Sequence, residues 1–211
     1  MGTKKSHVCG TSTKPLLFET IGERLQTAAD VHSNQEALVF CASGDRMTYS
    51  ELNHAADKLA AGLLELGLDT GDRIGRWSPN KLEWGVTLFA SAKIGLILVN
   101  INPAYRISEL EHALNQVECK ALVTACSFKS SDYVSMIKEL APEISEDAEK
   151  GLNSKRLPHL EHLIAITDQD IDGFYRFDEI SRELSEESTV LLSEKAHSLN
   201  PDDPINIQFT S

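Results

Sequence analysis

The middle of the chain alternates between short apolar segments and amphipathic segments, and this alternation restricts the possible folds more than any other feature. Three apolar segments predict strands, at residues 73–77, 96–101 and 121–124. Amphipathic segments with a helical period follow each of them, at residues 81–93, 108–117 and 131–140. Strand–helix units with short connections favour right-handed crossovers and a parallel sheet. The sequence therefore predicts an α/β fold: a mostly parallel, doubly wound sheet with helices on both faces.

A helix and a hairpin are predicted before this region. Pro15 to Asp30 carries apolar residues at a helical spacing, which predicts a first helix. Residues 37–41 and 46–47 are short apolar segments around a Ser-Gly-Asp turn, a pattern typical of an N-terminal β-hairpin. Within the sheet, the uninterrupted run 96–99 predicts a strand that is buried on both of its faces.

Three local motifs predict where helices begin and end. Thr48 and Glu51 form a capping box, in which the hydroxyl and the carboxylate each accept from the other residue's N–H group. Gly67 is the residue that ends this helix in a left-handed conformation. Ser108 and Glu111 have the spacing of a second capping box, which would open the helix that runs to about Val117.

In the second half of the chain, the alternation of apolar and amphipathic segments is less regular. Acidic and small residues in 139–155 predict a solvated excursion, after which 162–167 returns to a strand. Residues 177–184 predict a short helix, and 185–200 is polar and lacks a clear period. Ile205 to Phe209, which follows a rigid Pro-Asp-Asp-Pro segment, is predicted to be a buried strand.

Composition and charge exclude some classes of function. The 41% hydrophobic content is sufficient for a packed core. The formal charge of −12 argues against nucleic acids and anionic membrane surfaces as partners. It leaves open whether the acidic residues only keep the chain soluble or steer a basic partner. No apolar run reaches membrane-spanning length, so no transmembrane segment is predicted.

The four cysteines, Cys9, Cys41, Cys119 and Cys126, have neither CxxC nor zinc-site spacing, so no metal site is predicted. Cys119 and Cys126 flank one predicted strand and cannot bridge each other. Free thiols in a reducing compartment are therefore expected. The first residues fit a myristoylation pattern at Gly2, and no transit peptide is visible.

Several short motifs occur in a specific order along nearly the whole chain. They are Thr48–Leu52, Gly71–Ile74, Pro79-Asn80, Ala92–Gly95, Val99–Tyr105, Cys119–Val123 and Asp203–Ser211. In this order and spacing the chain resembles the adenylate-forming enzymes of the acyl-CoA synthetase superfamily. Within that superfamily it is most similar to the mitochondrial medium-chain acyl-CoA ligases.

The resemblance implies a two-step reaction, in which ATP with Mg²⁺ converts a medium-chain fatty acid to an acyl-adenylate and coenzyme A then displaces AMP. It implies an N-terminal tail at 1–15 and, at 16–211, the incomplete N-terminal AMP-binding domain of the acyl-CoA synthetase fold. Thr210 and Ser211 would be the first hydroxyls of the phosphate-binding loop. The rest of that loop and the catalytic lysine would lie beyond Ser211, so no catalytic residue is assigned. The chain alone is expected to be inactive and to bind no cofactor.

Other candidate residues have simpler interpretations. His54 and His112 lie in predicted amphipathic helices, where solvated or hydrogen-bonded histidines are expected rather than catalysts. Trp77 and Trp84 flank a turn, and core packing is favoured over ligand stacking. Asn102-Pro103 follows a predicted central strand, the position at which open α/β sheets bind ligands.

Two questions remain open from the sequence. The resemblance implies a mitochondrial protein, and a cytoplasmic one is the alternative. The chain could also be a regulatory or interaction module rather than part of an enzyme. In that case the final strand would form an open sheet edge through which the chain pairs with a partner or associates with itself.

Overall fold

The computed structural model describes residue 13 and residues 17–41, 43–145 and 147–209. The predicted tail at 1–15 therefore lies almost entirely outside the described residues. The helices are α1 (Ile21–His32), α2 (Tyr49–Glu65), α3 (Leu82–Lys93), α4 (Ile107–Gln116), α5 (Tyr133–Leu140), α6 (Phe177–Ile180) and α7 (Glu186–Ser198). The strands are β1 (Glu36–Val39), β2 (Arg46–Thr48), β3 (Arg73–Trp77), β4 (Ile97–Asn100), β5 (Cys119–Ala125), β6 (Ser127–Phe128), β7 (Ser131–Asp132), β8 (His162–Ile166), β9 (Tyr175–Arg176) and β10 (Asn206–Gln208).

A six-stranded sheet in the order β10-β4-β3-β5-β8-β9 forms the centre of the molecule. Every pair of neighbouring strands in it is parallel. Two separate apolar clusters cover the sheet, one on each face. The predicted doubly wound α/β fold is thus confirmed.

Strand β4 illustrates how the two cores are divided. Leu98 and Val99 are adjacent, point to opposite faces, and are both fully buried, Leu98 in one cluster and Val99 in the other. β4 is hydrogen-bonded to β3 on one side and to β10 on the other. The prediction of a strand buried on both faces is confirmed, although Ile97 is only half-buried.

The N-terminal hairpin is confirmed, since β1 and β2 pair antiparallel. The first helix begins later than predicted, at Ile21 rather than Pro15. Thr20 and Glu23 form a capping box there, with the Glu23 carboxylate 2.7 Å from the Thr20 backbone nitrogen. The apolar period continues through the extended residues before Thr20, and this misled the prediction.

One of the two predicted capping boxes is correct. Thr48 Oγ1 accepts from the Glu51 N–H at 3.2 Å, and the Glu51 carboxylate accepts from the Thr48 N–H at 2.8 Å. Helix α4, by contrast, is capped at Arg106, whose N–H donates to the Glu109 carboxylate at 3.1 Å. The capping box predicted at Ser108 and Glu111 was therefore wrong, because the helix begins two residues earlier.

The second half of the chain departs furthest from the prediction. The strand at 162–167 is confirmed as β8, but α6 ends at Ile180 instead of Leu184. Residues 186–198, which were described only as polar and without a clear period, form α7. The predicted solvated excursion contains a 3-10 helix at Ala148–Lys150 and buries Ala141 and Ser154.

The final strand is present but is not buried. β10 pairs only with β4 and forms one edge of the sheet. Its central residue Ile207 is half-buried, and Asn206 and Gln208 are exposed. The prediction of a buried strand at Ile205 to Phe209 was wrong, because no strand in the described part of the chain covers its outer side.

Cys41, Cys119 and Cys126 are free thiols, as expected, whereas Cys9 lies outside the described residues. Burial raises the pKa of the Cys119 thiol to about 12, so this cysteine stays protonated and unreactive. None of the helices at 17–41, 43–145 and 147–209 has both the length and the apolar character needed to cross a bilayer.

Candidate functional site

The carboxyl ends of the parallel strands meet at one edge of the sheet, which is where open α/β sheets bind ligands. Strands β3, β4 and β10 are neighbours there, and Arg76, Asn100 and Gln208 occupy one register row across them. The loop that contains Asn102-Pro103 continues from this row after β4, and Phe209 continues from it after β10. The fold therefore brings the predicted Asn102-Pro103 position next to the chain segment that leads to Thr210.

A stacked pair of aromatic rings holds the loop after β4. The Trp77 and Tyr133 rings lie 3.6 Å apart between centroids, at an interplanar angle of 11°, and both side chains are fully buried. Trp77 Nε1 donates to the Asn102 carbonyl at 3.1 Å, and the Tyr133 hydroxyl donates to the Pro103 carbonyl at 2.5 Å. Burial raises the pKa of Tyr133 to about 12, so its hydroxyl remains a donor at neutral pH. Two consecutive carbonyl groups of the loop are thus fixed.

The same loop is shaped by local hydrogen bonds. Asn102 Oδ1 accepts from the Ala104 N–H at 2.9 Å, and the Asn102 carbonyl accepts from the Tyr105 N–H at 3.0 Å. Tyr105 is thereby placed beside Phe209, and the two residues line a cavity of about 250 Å³ together with His112. This cavity adjoins the end of β10, where the phosphate-binding loop is predicted to begin.

Arg76 is a buried cation at this edge. Its side chain lies over the Trp84 ring, 3.4 Å from guanidinium carbon to ring centroid, and it donates to the Trp84 carbonyl at 2.9 Å and to Asn100 Oδ1. The residue is 4% exposed, and burial lowers the pKa of the guanidinium to about 9. No carboxylate of the described residues lies within 4.0 Å of it, so hydrogen bonds and the indole face alone compensate the lost hydration.

The predicted phosphate-loop residues Thr210 and Ser211 lie outside the described residues, and their role stays a prediction. His54 is solvent-exposed, as expected, and its Nε2 atom lies 3.6 Å from the Glu183 carboxylate. Trp77 packs in the core as predicted, and Trp84 contacts Arg76. Within 17–41, 43–145 and 147–209, no group of three or more His, Cys, Asp or Glu residues could hold a metal ion.

Sequence reasoning missed three residues of this edge. Tyr133 was hidden because it belongs to a helix 30 residues after the loop that it contacts. Arg76 was part of a predicted strand and was not singled out, although it is buried. Tyr105 occurred only as part of a motif. The one signal that could have identified Arg76 as unusual is a charged residue between Gly75 and Trp77 in a predicted inner strand.

The parallel sheet and the polar residues at its carboxyl edge define an open α/β domain of the kind that binds ligands at this edge, and comparison with known proteins specifies the class. The family model described as "AMP-binding enzyme" matches residues 25–211. The chain therefore belongs to the AMP-binding enzyme family.

Curated relatives agree with this assignment. The chain is 42% identical over 206 residues to a Danio rerio protein named medium-chain acyl-CoA ligase ACSF2, mitochondrial. The matched residues make up 98% of this chain and 34% of the relative. The corresponding Homo sapiens protein is 40% identical over 207 residues, with coverage of 98% and 34%. The chain thus spans about a third of the length of the curated relatives it matches.

Solved structures of the same class share the fold. An anthranilate CoA ligase, AuaEII, in complex with anthranoyl-AMP, matches with a TM-score of 0.68 at 19% identity, covering 93% of this chain and 33% of that one. A Mycobacterium tuberculosis fatty acyl CoA synthetase matches with a TM-score of 0.61 at 21% identity, covering 91% and 32%. At these identities the structural comparison supports the fold.

Proposed function

We propose that this chain is part of an acyl-CoA ligase that activates a fatty carboxylate with ATP and transfers the acyl group to coenzyme A. The observation that carries the proposal is the match of residues 25–211 to the AMP-binding enzyme family, together with relatives named as acyl-CoA ligases. In this proposal residues 16–211 form part of the AMP-binding domain, and residues 1–15 form a tail that precedes it.

The carboxyl edge suits the first step of this reaction. Attack of a carboxylate on the α-phosphate of ATP requires that the pyrophosphate group be held by backbone N–H groups, hydroxyls and cations. Gln208 pairs with Asn100 at the edge where β4 also ends, and Thr210 and Ser211 follow Phe209 in the sequence. We assign these two hydroxyls to the phosphates.

The remaining partners follow from the relatives' names. Medium-chain fatty acids are the proposed substrates, and the mitochondrion is the proposed compartment. Mg²⁺ would neutralise phosphate charge in the complete enzyme, and we assign it no ligand among the described residues. We further propose that this chain alone binds MgATP no more tightly than the millimolar range, because only two hydroxyls of the proposed cradle belong to it.

The proposal can be tested in a chimera in which residues 1–211 replace the matching third of the Danio rerio ligase. We expect the chimera to form octanoyl-CoA from octanoate, ATP and coenzyme A at a measurable rate, detected by release of AMP. The matched variant, Thr210→Val with Ser211→Ala, removes both hydroxyls with little change in volume. We expect it to lower kcat/KM by at least about a hundredfold, the typical cost of losing an electrostatic donor in a transition state.

The result that would overturn the proposal is a chimera that is monodisperse and unfolds cooperatively, yet forms no acyl-adenylate. If the chimera is active and the double variant is equally active, the ligase assignment holds and the roles of Thr210 and Ser211 are wrong. Calorimetry of the unfused chain with MgATP checks the proposal that this chain alone binds MgATP no more tightly than the millimolar range. A micromolar dissociation constant would contradict it.

A second candidate function, an interaction module, rests on the exposed edge strand β10. The outer side of β10 faces no other strand within the described residues, and Ile205 is 39% exposed. A partner strand, including one from a second copy of the chain, could add to this edge. Sequencing the transcript beyond the codon for Ser211 separates the two functions. An open frame rich in Gly and Thr codons favours the ligase, and a stop codon in a translated transcript favours the module.

A further inference from the structure

A second cavity lies away from the carboxyl edge, between α1, α2, α3 and α7. We call it the α1–α7 cleft. It has a volume of about 640 Å³, which lies in the range of small-molecule sites. One wall is apolar and includes Phe18 and Leu192, and the hydroxyl of Ser193 lies beside this wall. Lys93 is the last residue of α3, so the cleft lies toward the amino ends of the strands, opposite the proposed ATP site.

The floor of the cleft is polar and tightly built. Lys93 Nζ lies 2.7 Å from Asp57 Oδ1, and both side chains are largely buried. Gly22 of α1 approaches Lys93 so closely that an added Cβ would lie 3.0 Å from Lys93 Cγ. Because the helices contact each other at this point, the cleft has a firm floor.

The hydrogen bonds behind the floor leave an acceptor without a donor. Asn53, which is 8% exposed, donates through Nδ2 to Gln26 Oε1 at 2.9 Å and to Asp57 Oδ2 at 3.3 Å. Both Gln26 and Asp57 line the cleft. The Asn53 Oδ1 atom has no hydrogen-bond partner in the described part of the chain. Asn53 is not among the residues that line the cleft, so this acceptor belongs to the polar layer behind the floor and is not a contact for a ligand.

The charged residues that line the cleft favour a cationic ligand. Among the described residues, Glu19, Glu23 and Asp57 line the cleft, and the one lining cation is Lys93, which is already paired with Asp57. Arg24 contacts Glu19 from outside at 3.4 Å, and the Glu23 carboxylate accepts from the Thr20 N–H. An anionic ligand would meet no unpaired cation among the described lining residues, whereas an ammonium group would meet carboxylates and the Phe18 side chain.

We propose that the α1–α7 cleft is a binding site for a small amphipathic amine, whose ammonium group contacts the carboxylates that line the cleft and whose apolar body packs on Phe18 and Leu192. The site does not depend on the proposed ligase activity, because it shares no residue with the carboxyl edge. Its occupation ties α1 to α7, two helices that otherwise contact each other little.

Three compounds with one ring system and different charges test the proposal on the full chain. Tryptamine is a cation, indole-3-ethanol is neutral and indole-3-propionate is an anion at pH 7. We expect calorimetry to give tryptamine a dissociation constant at least about tenfold lower than that of the alcohol. The propionate should show no binding. Equal binding of all three compounds would overturn the proposal, since it would indicate adsorption of the ring alone.

Two matched variants on α7 locate the binding site. Ser193→Phe places a ring in the cleft, and we expect it to weaken tryptamine binding by at least about tenfold. Leu191→Phe adds a ring on the exposed outer side of the same helix and should leave binding unchanged. Both positions are exposed, so both variants should fold, which their melting curves verify. Undiminished binding by Ser193→Phe would place the ligand elsewhere and refute the proposal.

Discussion

His162 is a titratable side chain at the start of β8 that the fold buries without full compensation. Its Nδ1 atom is buried and has no hydrogen-bond partner among the described residues, and the Glu161 carboxylate lies 3.9 Å from Nε2. Burial is the main cause that lowers the pKa of His162 below its ordinary value of 6.5, and the nearby Lys120 acts in the same direction. The folded chain therefore favours the neutral imidazole.

This lowered pKa predicts a loss of stability in acid. Between the folded-state pKa and 6.5, the unfolded chain binds a proton at His162 that the folded chain does not. The free energy of unfolding should therefore decrease as pH falls from 7.5 to 5.5. In His162→Phe this contribution is absent, so the decrease measured by urea denaturation should be smaller. An equal decrease in the parent chain and the variant would contradict the prediction.

Strand β4 allows a buried position and an exposed position in the same register row of the sheet to be compared. Leu98 is fully buried, and its neighbour on β10 in the parallel ladder is the exposed Asn206. The two positions share one row of the sheet and differ mainly in burial. They therefore form a matched pair for measuring what the inner face of the sheet requires.

We expect Leu98→Asp to prevent folding, because an unpaired carboxylate in this core costs several kcal/mol, comparable to the stability of a whole domain. The variant should be insoluble or lack a cooperative urea transition. Asn206→Asp introduces the same carboxylate at the exposed neighbour and should change stability by less than about 0.5 kcal/mol. A soluble Leu98→Asp chain that unfolds cooperatively would show that β4 is peripheral.

The elements that could be predicted from the sequence are those whose side chains form the core. β3, β4, β5 and β8 are apolar because both faces of the sheet are covered, so their sequences carry the information about burial. α7 could not be found in this way, because none of its residues is buried. Its signals are local: Ser185 caps its start, two glutamates lie in its first turn, and Lys195 and His197 lie in its last.

The candidate site was predictable in position and not in detail. The carboxyl edge of the sheet follows from strand order and from Asn102-Pro103. The Trp77–Tyr133 stack and the burial of Arg76 arise from contacts between distant segments, for which a single sequence carries no direct signal. The resemblance to a family supplied the phosphate-loop residues, which physical reasoning alone would not have selected.

At the scale of the whole molecule, the two outer strands of the sheet, β9 and β10, differ in charge. At the β9 edge, Arg176 forms ion pairs with Asp170 at 3.2 Å and Asp178 at 3.4 Å. Residues 205–209 at the β10 edge carry no charge. Charged side chains on edge strands oppose pairing between molecules. The β10 edge is therefore the one at which we expect association.

The substitution Asn206→Pro tests whether the chain associates through β10, and it should change the fold little. The Ile205 carbonyl accepts from the Leu98 N–H at 3.0 Å, so the N–H groups of Asn206 and Gln208 point away from β4. Asn206→Pro removes an outward donor and leaves the ladder to β4 intact. We expect light scattering to give a lower apparent mass for this variant than for the parent chain at equal concentration. An unchanged mass would mean that β10 is not the associating edge.

The pairing of β10 with β4 also has a consequence for synthesis on the ribosome. Asn206 lies beside Leu98, its partner from roughly a hundred residues earlier in the chain. At ordinary elongation rates those residues take on the order of ten seconds to appear, whereas local strands and helices form in microseconds to milliseconds. During that interval one side of β4 has no native neighbour. β4 is therefore the strand at which a nascent chain is most exposed to mispairing and to chaperone capture.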